Sequence, residues 1–452
     1  MNSVNGKHIV IAGAARSGVA VAELLARKGA HVLVSDSGCI ATKFRKRLTE
    51  NHILFEEGVH SEASFEGDML VLSPGVPSDA AIVRAYLERN CPVFSEIEVA
   101  SWFCKSKIIA VTGSNGKTTV VNWLADVWKR AGRPYLLAGN VGTAFSEVVD
   151  QTSEEVDVIL EVSSFQLDHI DRFRARVGVI LNITPDHLNR YQNQFENYVR
   201  SKMNLPKNQT TEDSLIYGYD DPVVKKQMEA WSDQKKHPAL LPFSIEVDVP
   251  GACLRDGILR IQTGTIEEDI LSMKQIALPG NHNLRNGLAV ALAARICEID
   301  KDYIRESLSS FEGVPHRLQK VRDLEGVEYY NDSKATNVNA VWYALSSFRK
   351  PLVLIMGGRD KGNDYSELKK ELLEKARAII AIGEGKEAIR EQLKDAVPMM
   401  LEAETMSDAV QKSYRIARSG DVVLLSPACA SFDMFESYED RGLKFIQAVM
   451  AL

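Results

Sequence analysis

The run Thr112-Gly113-Ser114-Asn115-Gly116-Lys117-Thr118-Thr119 has residue types and spacing that suit phosphate chemistry. It follows the apolar stretch KIIAV and precedes the helix-like TTVVNWLADVWKRAG, the strand–loop–helix setting that a phosphate-binding loop requires. There the backbone around Gly113, Asn115, Gly116 and Thr119 can cradle phosphate. Lys117 meets the β- and γ-phosphates, and the Thr118 hydroxyl ligates Mg2+. The start of the following helix adds partial positive charge. The usual loop has a glycine six positions before its lysine. Here Val111 stands at that place, so the motif is shortened.

Two other apolar runs end in residues suited to the same centre. DVILEVSS places Glu161 at a strand end, where an acid is the usual partner of nucleotide-bound Mg2+. GVILNITPDHLNRY sets His187 beside Asp186, a metal ligand or a helix cap; Thr118 and Glu161 at neighbouring strand ends favour the metal. Lys202, in the helical stretch NYVRSKMNL, reads as a surface lysine. Asn283 and Asn286, one turn apart in LPGNHNLRN, either cap a helix or hydrogen-bond an adenine edge.

Near the beginning, KHIVIA leads into Gly13-Ala14-Ala15-Arg16-Ser17-Gly18, which misses G-x-G-x-x-G only at Ala15. Asp36 closes the next run, where an acid often meets a ribose hydroxyl, and a third strand yields Ser73-Pro74-Gly75. Ala15 crowds a full dinucleotide, which points to a different nucleotide. Toward the other end, GVPHRLQKV offers His316 and Arg317, an arginine able to close onto a γ-phosphate. VEYYNDSKATN supplies Asp332, Lys334 and Thr336 in alternation, which predicts one shared strand face. Lys361 follows PLVLIMGG; Ser431 and Tyr438 follow DVVLLSPA.

Positioning these residues takes a parallel α/β scaffold, because short β-branched runs alternate with helical stretches and ligands sit beyond the strands' carboxyl ends. The length of 452 residues suits three domains. The expected divisions are a Rossmann-like domain at 1–97, a central P-loop ATPase-like domain with a mixed sheet at 98–312, and a Rossmann-like domain at 313–452. The polar stretch 207–275 would form the partly antiparallel edge of the central sheet. A net charge of −7 argues against a nucleic-acid partner. No segment has the ~20 consecutive apolar residues of a membrane helix. The N-terminus reads as a first strand, not a signal peptide. The six scattered cysteines, none in C-x-x-C spacing, fit reduced thiols of a cytoplasmic protein.

TGSNGKTT, LEVSSFQLD, NITPDHLNRY, LPGNHNLRN, GVPHRLQ, NDSKATN, GGRDKG and LLSPACASFDMFESYEDRG together resemble the Mur ligase family, the ATP-dependent amide ligases of peptidoglycan precursor synthesis. Members typically use T-G-[ST]-N-G-K-[ST], without the far glycine. The resemblance spans the chain, and its last stretch points to the branch that adds D-glutamate to UDP-N-acetylmuramoyl-L-alanine through an acyl phosphate. It implies a monomer that uses ATP and two Mg2+ ions. Ser17, Asp36, Ser73 and Gly75 match the uridine-diphosphate site, and Asn140, in AGNVG, matches a contact to the sugar–peptide. Lys117, Thr118, Glu161 and His187 match the ATP–magnesium centre, and Lys202 matches a lysine carried as a carbamate. Asn283, Asn286, Arg317 and Asp332 match the ATP-grasping set. Lys334, Thr336, Lys361, Ser431 and Tyr438 match the D-glutamate pocket, where Tyr438 replaces an expected phenylalanine. Alternatives are another amino-acid-adding ligase of the family, of which a diaminopimelate- or lysine-adding one usually shows an Asn-Pro-Arg run in the last domain that is absent here, or a folate polyglutamate ligase-like enzyme. An NAD-dependent dehydrogenase using Gly13–Gly18 would leave TGSNGKTT and the last domain unexplained, and a non-catalytic nucleotide switch that binds ATP is a third reading.

Overall fold

The computed structural model describes residues 4–140, 142–232, 237–264, 266–360 and 362–452. They form two compact units: the residues up to Ala277 with Leu284–Phe311, and Leu278–Asn283 with Glu312–Leu452.

The first unit carries two sheets. Strands β1 (His8–Ala12), β2 (His31–Asp36), β3 (Leu54–Glu57), β4 (Met69–Leu72) and β5 (Val93–Ser95) form an all-parallel sheet ordered β3-β2-β1-β4-β5. Its central strands are apolar on both faces: Ile9 and Ile11 enter one core cluster, Val10 and Leu70 the other. The order reverses at β1 and β4, so the turns after these two strands open side by side, the place where such sheets take ligands. Ser73 therefore follows the fourth strand, not a third. The overlooked β3, LFEE, is a short run at the sheet edge with Leu54 72% exposed, so it lacks the apolar run that marks its neighbours.

The second sheet has nine strands. They are β6 (Lys107–Thr112), β7 (Tyr135–Gly139), β8 (Asp157–Glu161), β9 (Val177–Ile180), β10 (Ser214–Gly218), β11 (Ala239–Ser244), β12 (Ala252–Arg255), β13 (Ile258–Thr263) and β14 (Ile266–Ser272). The order is β14-β13-β12-β11-β10-β9-β6-β8-β7, parallel from β7 to β12 and antiparallel from β12 to β14. The change of direction has a local cause. Asp256 and Gly257 both have positive φ, 51° and 75°, the two-residue turn that joins antiparallel neighbours.

The second unit holds β15 (Gln319–Leu324), β16 (Val327–Asn331), β17 (Leu352–Gly357), β18 (Ala376–Ile382), β19 (Met400–Ala403) and β20 (Val422–Leu425), ordered β15-β16-β20-β17-β18-β19. Only β15 is antiparallel to its neighbour. Leu352, Leu354 and Met356 pack on one face and Val353 and Ile355 on the other, so both faces are covered. The expected single face for Asp332, Lys334 and Thr336 does not form. β16 stops at Asn331; Asp332 N then donates to Leu425 O at 2.8 Å and Ala335 N to Asp332 O at 2.9 Å, closing a turn. Asp332 is buried, Lys334 half-buried and Thr336 exposed. Among the described residues no helix is long and apolar enough to cross a membrane.

Candidate functional site

The tip of β6 lies between β8 and β9, and its loop is tied to the end of β9. Ser114 N donates to Asn182 O at 2.9 Å, and Asn115 N to Asn182 Oδ1 at 2.9 Å. Asn182 Nδ2 returns a bond to Asn115 O at 3.1 Å, and Ser114 Oγ donates to Thr184 O at 2.8 Å. These ties explain the shortened motif. Val111 is a buried strand residue paired with Glu161 and Val179, so the strand runs on where an ordinary loop would have begun. Gly116 starts the helix Lys117–Arg130 with φ 88°. A Cβ there would lie 2.6 Å from Asn286 Oδ1, so the loop closes against the helix that carries Asn286. Lys117 Nζ folds back onto the loop, donating to Gly113 O at 2.6 Å and Ser114 O at 2.8 Å.

The strand pairing sets two hard oxygen donors side by side. Thr118 Oγ1 donates to Glu161 Oε2 at 2.8 Å, and Glu161 is 2% exposed. Asn140 Nδ2 donates to Glu161 Oε1 at 3.0 Å. A hydroxyl and a carboxylate suit Mg2+, which binds through one or two carboxylates plus substrate phosphates rather than a full protein cage. Among the described residues no three His, Cys, Asp or Glu side chains converge as a metal site. His187 stands beyond β9 with φ 52°; its ring meets Phe165 edge-on at 5.1 Å, and Nε2 lies 3.6 Å from Asp186 Oδ2.

Lys202 is not a surface lysine. It is 1% exposed, and Nζ donates to Gly113 O at 2.9 Å while lying 4.8 Å above the Tyr198 ring. Burial, aided by Lys117, pushes its amine well below the usual lysine range, against the pull of Asp186, Asp168 and Glu161. A sequence signal existed. Phe195, Tyr198, Val199 and Lys202 recur at helical spacing, which puts the lysine on the apolar face.

In the first sheet, Asp36 ties the turn after β1: Oδ2 accepts from Ala14 N at 2.7 Å and Oδ1 from Gly38 N at 2.8 Å. Ser17 and Ser73 are buried beside it, and a Cβ on Gly13 would lie 2.9 Å from Ser73 Cβ. Gly75 is exposed in the turn after β4. Two arginines not singled out from the sequence join the sheets. Arg16 donates to Asn140 O at 3.0 Å. Arg190 donates to Pro74 O and Val76 O at 3.0 and 2.6 Å and covers the Phe165 ring at 4.1 Å.

In the second unit, Asp332 accepts from Ser426 Oγ at 2.9 Å and Leu318 N at 3.2 Å. Burial pushes its carboxyl up to about 7, opposed chiefly by the charge of Arg317. The Arg317 Nε is itself buried without a hydrogen-bond partner. Lys334 Nζ lies 5.3 Å over the Tyr438 ring, and His316 meets that ring edge-on at 6.3 Å. Asn283 is buried and donates to Pro279 O at 2.8 Å. Ser431 is buried, whereas Lys361 lies outside the described residues. Arg441, hidden in the polar string YEDRG, is wholly buried and binds Ser333 Oγ, Ser333 O and Cys429 O at 2.9, 2.8 and 3.1 Å. Its helical spacing with Phe445 and Val449 was the available signal.

Three family descriptions match the chain: "MurD N-terminal domain" over 8–82, "Mur ligase middle domain" over 111–294, and "Mur ligase, glutamate ligase domain" over 316–429. A Salinibacter ruber protein named UDP-N-acetylmuramoylalanine--D-glutamate ligase is 46% identical over 457 aligned positions, covering 100% of this chain and 99% of that protein. The chain belongs to the Mur ligase family. A Porphyromonas gingivalis protein of the same name is 42% identical over 98% of both chains. This Mur ligase also shares its fold with the Thermotoga maritima UDP-N-acetylmuramate-alanine ligase (TM-score 0.61, 17% identity, 98% and 99% coverage). A second fold match is the Thermotoga maritima MurF ligase in complex with ADP (TM-score 0.58, 16% identity, 99% and 95% coverage).

Proposed function

We propose that this Mur ligase joins D-glutamate to UDP-N-acetylmuramoyl-L-alanine, converting ATP to ADP and phosphate, as a cytoplasmic, monomeric step of peptidoglycan precursor synthesis. The likeness along the entire chain to relatives named for that reaction carries the reading. The divisions at 1–97, 98–312 and 313–452 are assigned to the UDP-substrate, ATP and amino acid respectively.

A carboxylate is a poor acyl donor. The alanyl carboxylate therefore attacks the γ-phosphorus of ATP, and ADP leaves. The D-glutamate amine then attacks the acyl carbon, phosphate departs, and the ammonium loses its proton. Lys117 and Arg317 stabilise the transferring phosphoryl group, with the loop Gly113–Thr119 cradling phosphate. Thr118, Glu161 and His187 would hold Mg2+, which would neutralise phosphate charge. Asn283, Asn286 and Asp332 hold the nucleotide. Ser17, Asp36, Ser73, Gly75 and Asn140 orient the UDP-substrate; Lys334, Thr336, Lys361, Ser431 and Tyr438 receive D-glutamate.

Lys202 is assigned a carbamate. A neutral amine adds to CO2 and releases a proton, and the depressed basicity of this buried amine favours that form. The product is an anion suited to a second Mg2+. Phosphate release measured with UDP-N-acetylmuramoyl-L-alanine, with and without D-glutamate, tests the function. Strict dependence on both is expected. Turnover with diaminopimelate or a folate instead would establish one of the other ligase readings.

A further inference from the structure

The segment that carries Asn140 is strapped from the first sheet's side. Ser146 donates to Glu96 Oε1 through N and Oγ at 2.7 and 2.6 Å. Arg47 pairs with Glu147 at 2.9 Å, and Arg27 and Lys28 pair with Asp150 at 3.0 and 2.7 Å. Arg16 holds the end nearest the magnesium pair through its 3.0 Å bond to Asn140 O. From Asn140 the chain continues on two bonds to one residue: Nδ2 to Glu161 Oε1 at 3.0 Å and N to Glu161 O at 2.9 Å. Glu161 then accepts from Thr118 at 2.8 Å. The strand tip leaves no slack, because a Cβ on Gly139 would collide with Glu161 O. The Nε of Arg16 is buried without a partner, a destabilising feature that an apolar side chain of similar length would avoid.

We infer that Arg16 is a positioning residue: it fixes the Asn140 loop so that Asn140 holds the Glu161 carboxylate for Mg2+, linking the turn between β1 and its helix to the metal centre. The inference rests on the proposed Thr118–Glu161 magnesium site, but not on which amino acid is ligated. Its ligand is a magnesium–nucleoside triphosphate, and its other end lies beside Ser17. A substrate on that turn can therefore adjust the metal site without touching it.

The test uses the full chain with Arg16→Met, Arg16→Lys and Arg27→Met, the last removing a peripheral strap. Without ligands, hydrogen exchange of the Asn140 amide should quicken about tenfold in Arg16→Met. In calorimetry with ATP and no UDP-substrate, the Mg2+ concentration for half-saturation should rise about tenfold, the loss expected of one charge-assisted hydrogen bond. Arg16→Lys should stay within about threefold of the parent, since an ammonium can still donate to that carbonyl. Arg27→Met should match the parent in both measurements. Unchanged exchange and Mg2+ demand in an Arg16→Met protein with the parent's urea midpoint would overturn the inference. So would a rise confined to the KM for UDP-substrate, which would make Arg16 a substrate contact. A parent unable to ligate D-glutamate would instead refute the proposed function, while exchange and calorimetry would still decide the role of Arg16.

Discussion

Lys202 donates a hydrogen bond to the carbonyl of Gly113 at 2.9 Å, so a fully buried lysine braces the first glycine of the loop Gly113–Thr119. The contact joins residues 89 positions apart and sets a depressed amine beside the loop on which Lys117 also folds.

Replacing Lys202 by alanine is expected to lower kcat at least ~100-fold, the scale of losing one charge-stabilising group. Added acetate or propionate should restore part of the rate, because a small carboxylate can stand where the carbamate stood. Steady-state kinetics across a carboxylate titration check this; a parent-like rate in the variant would remove the carbamate.

Gly116→Ala should destabilise the first unit by about 1–2 kcal/mol, since alanine is strained at positive φ. Its Cβ would also press within 2.6 Å of Asn286 Oδ1. Urea unfolding gives the stability and calorimetry the nucleotide affinity; both should fall together.

Asp332 predicts a definite pH dependence. Its folded carboxyl sits at about 7, above an unfolded aspartate at ~3.9, so the native state holds the extra proton between them. The contribution of this group is therefore fully present below the unfolded value and is lost as pH rises toward 7, an amount on the order of 4 kcal/mol. Urea midpoints from pH 4.5 to 7.5 should fall less steeply in Asp332→Asn than in the parent. Parallel curves would mean that Asp332 is ionised throughout.

Arg441→Met should cost about 3 kcal/mol, because Ser333 and Cys429 lose a buried cationic donor. The Tyr438 carbonyl, which accepts from Ser333 Oγ at 2.9 Å, loses its brace, so the KM for D-glutamate should rise more than that for ATP. Thermal unfolding and substrate titrations separate the two effects.

Local pattern alone determined the alternation of strands and helices, a glycine-rich turn leading into a helix at Gly113–Thr119, and the acid at the end of β8. Hydrophobic runs bounded by glycine, and a Gly-Lys-Thr before a helix, are read within about ten residues of chain. Family resemblance supplied the roles proposed for Asn140, Lys202 and the residues assigned to D-glutamate, which no spacing implied. Only tertiary structure decided that Lys202 is buried, that the Asp332–Thr336 stretch turns instead of extending, and that Arg16 and Arg441 donate to distant carbonyls. Those outcomes depend on partners far along the chain, such as Gly113 for Lys202, Leu425 for Asp332 and Asn140 for Arg16. A charged side chain looks the same in sequence whether it meets water or a buried carbonyl; the packing around it makes the difference.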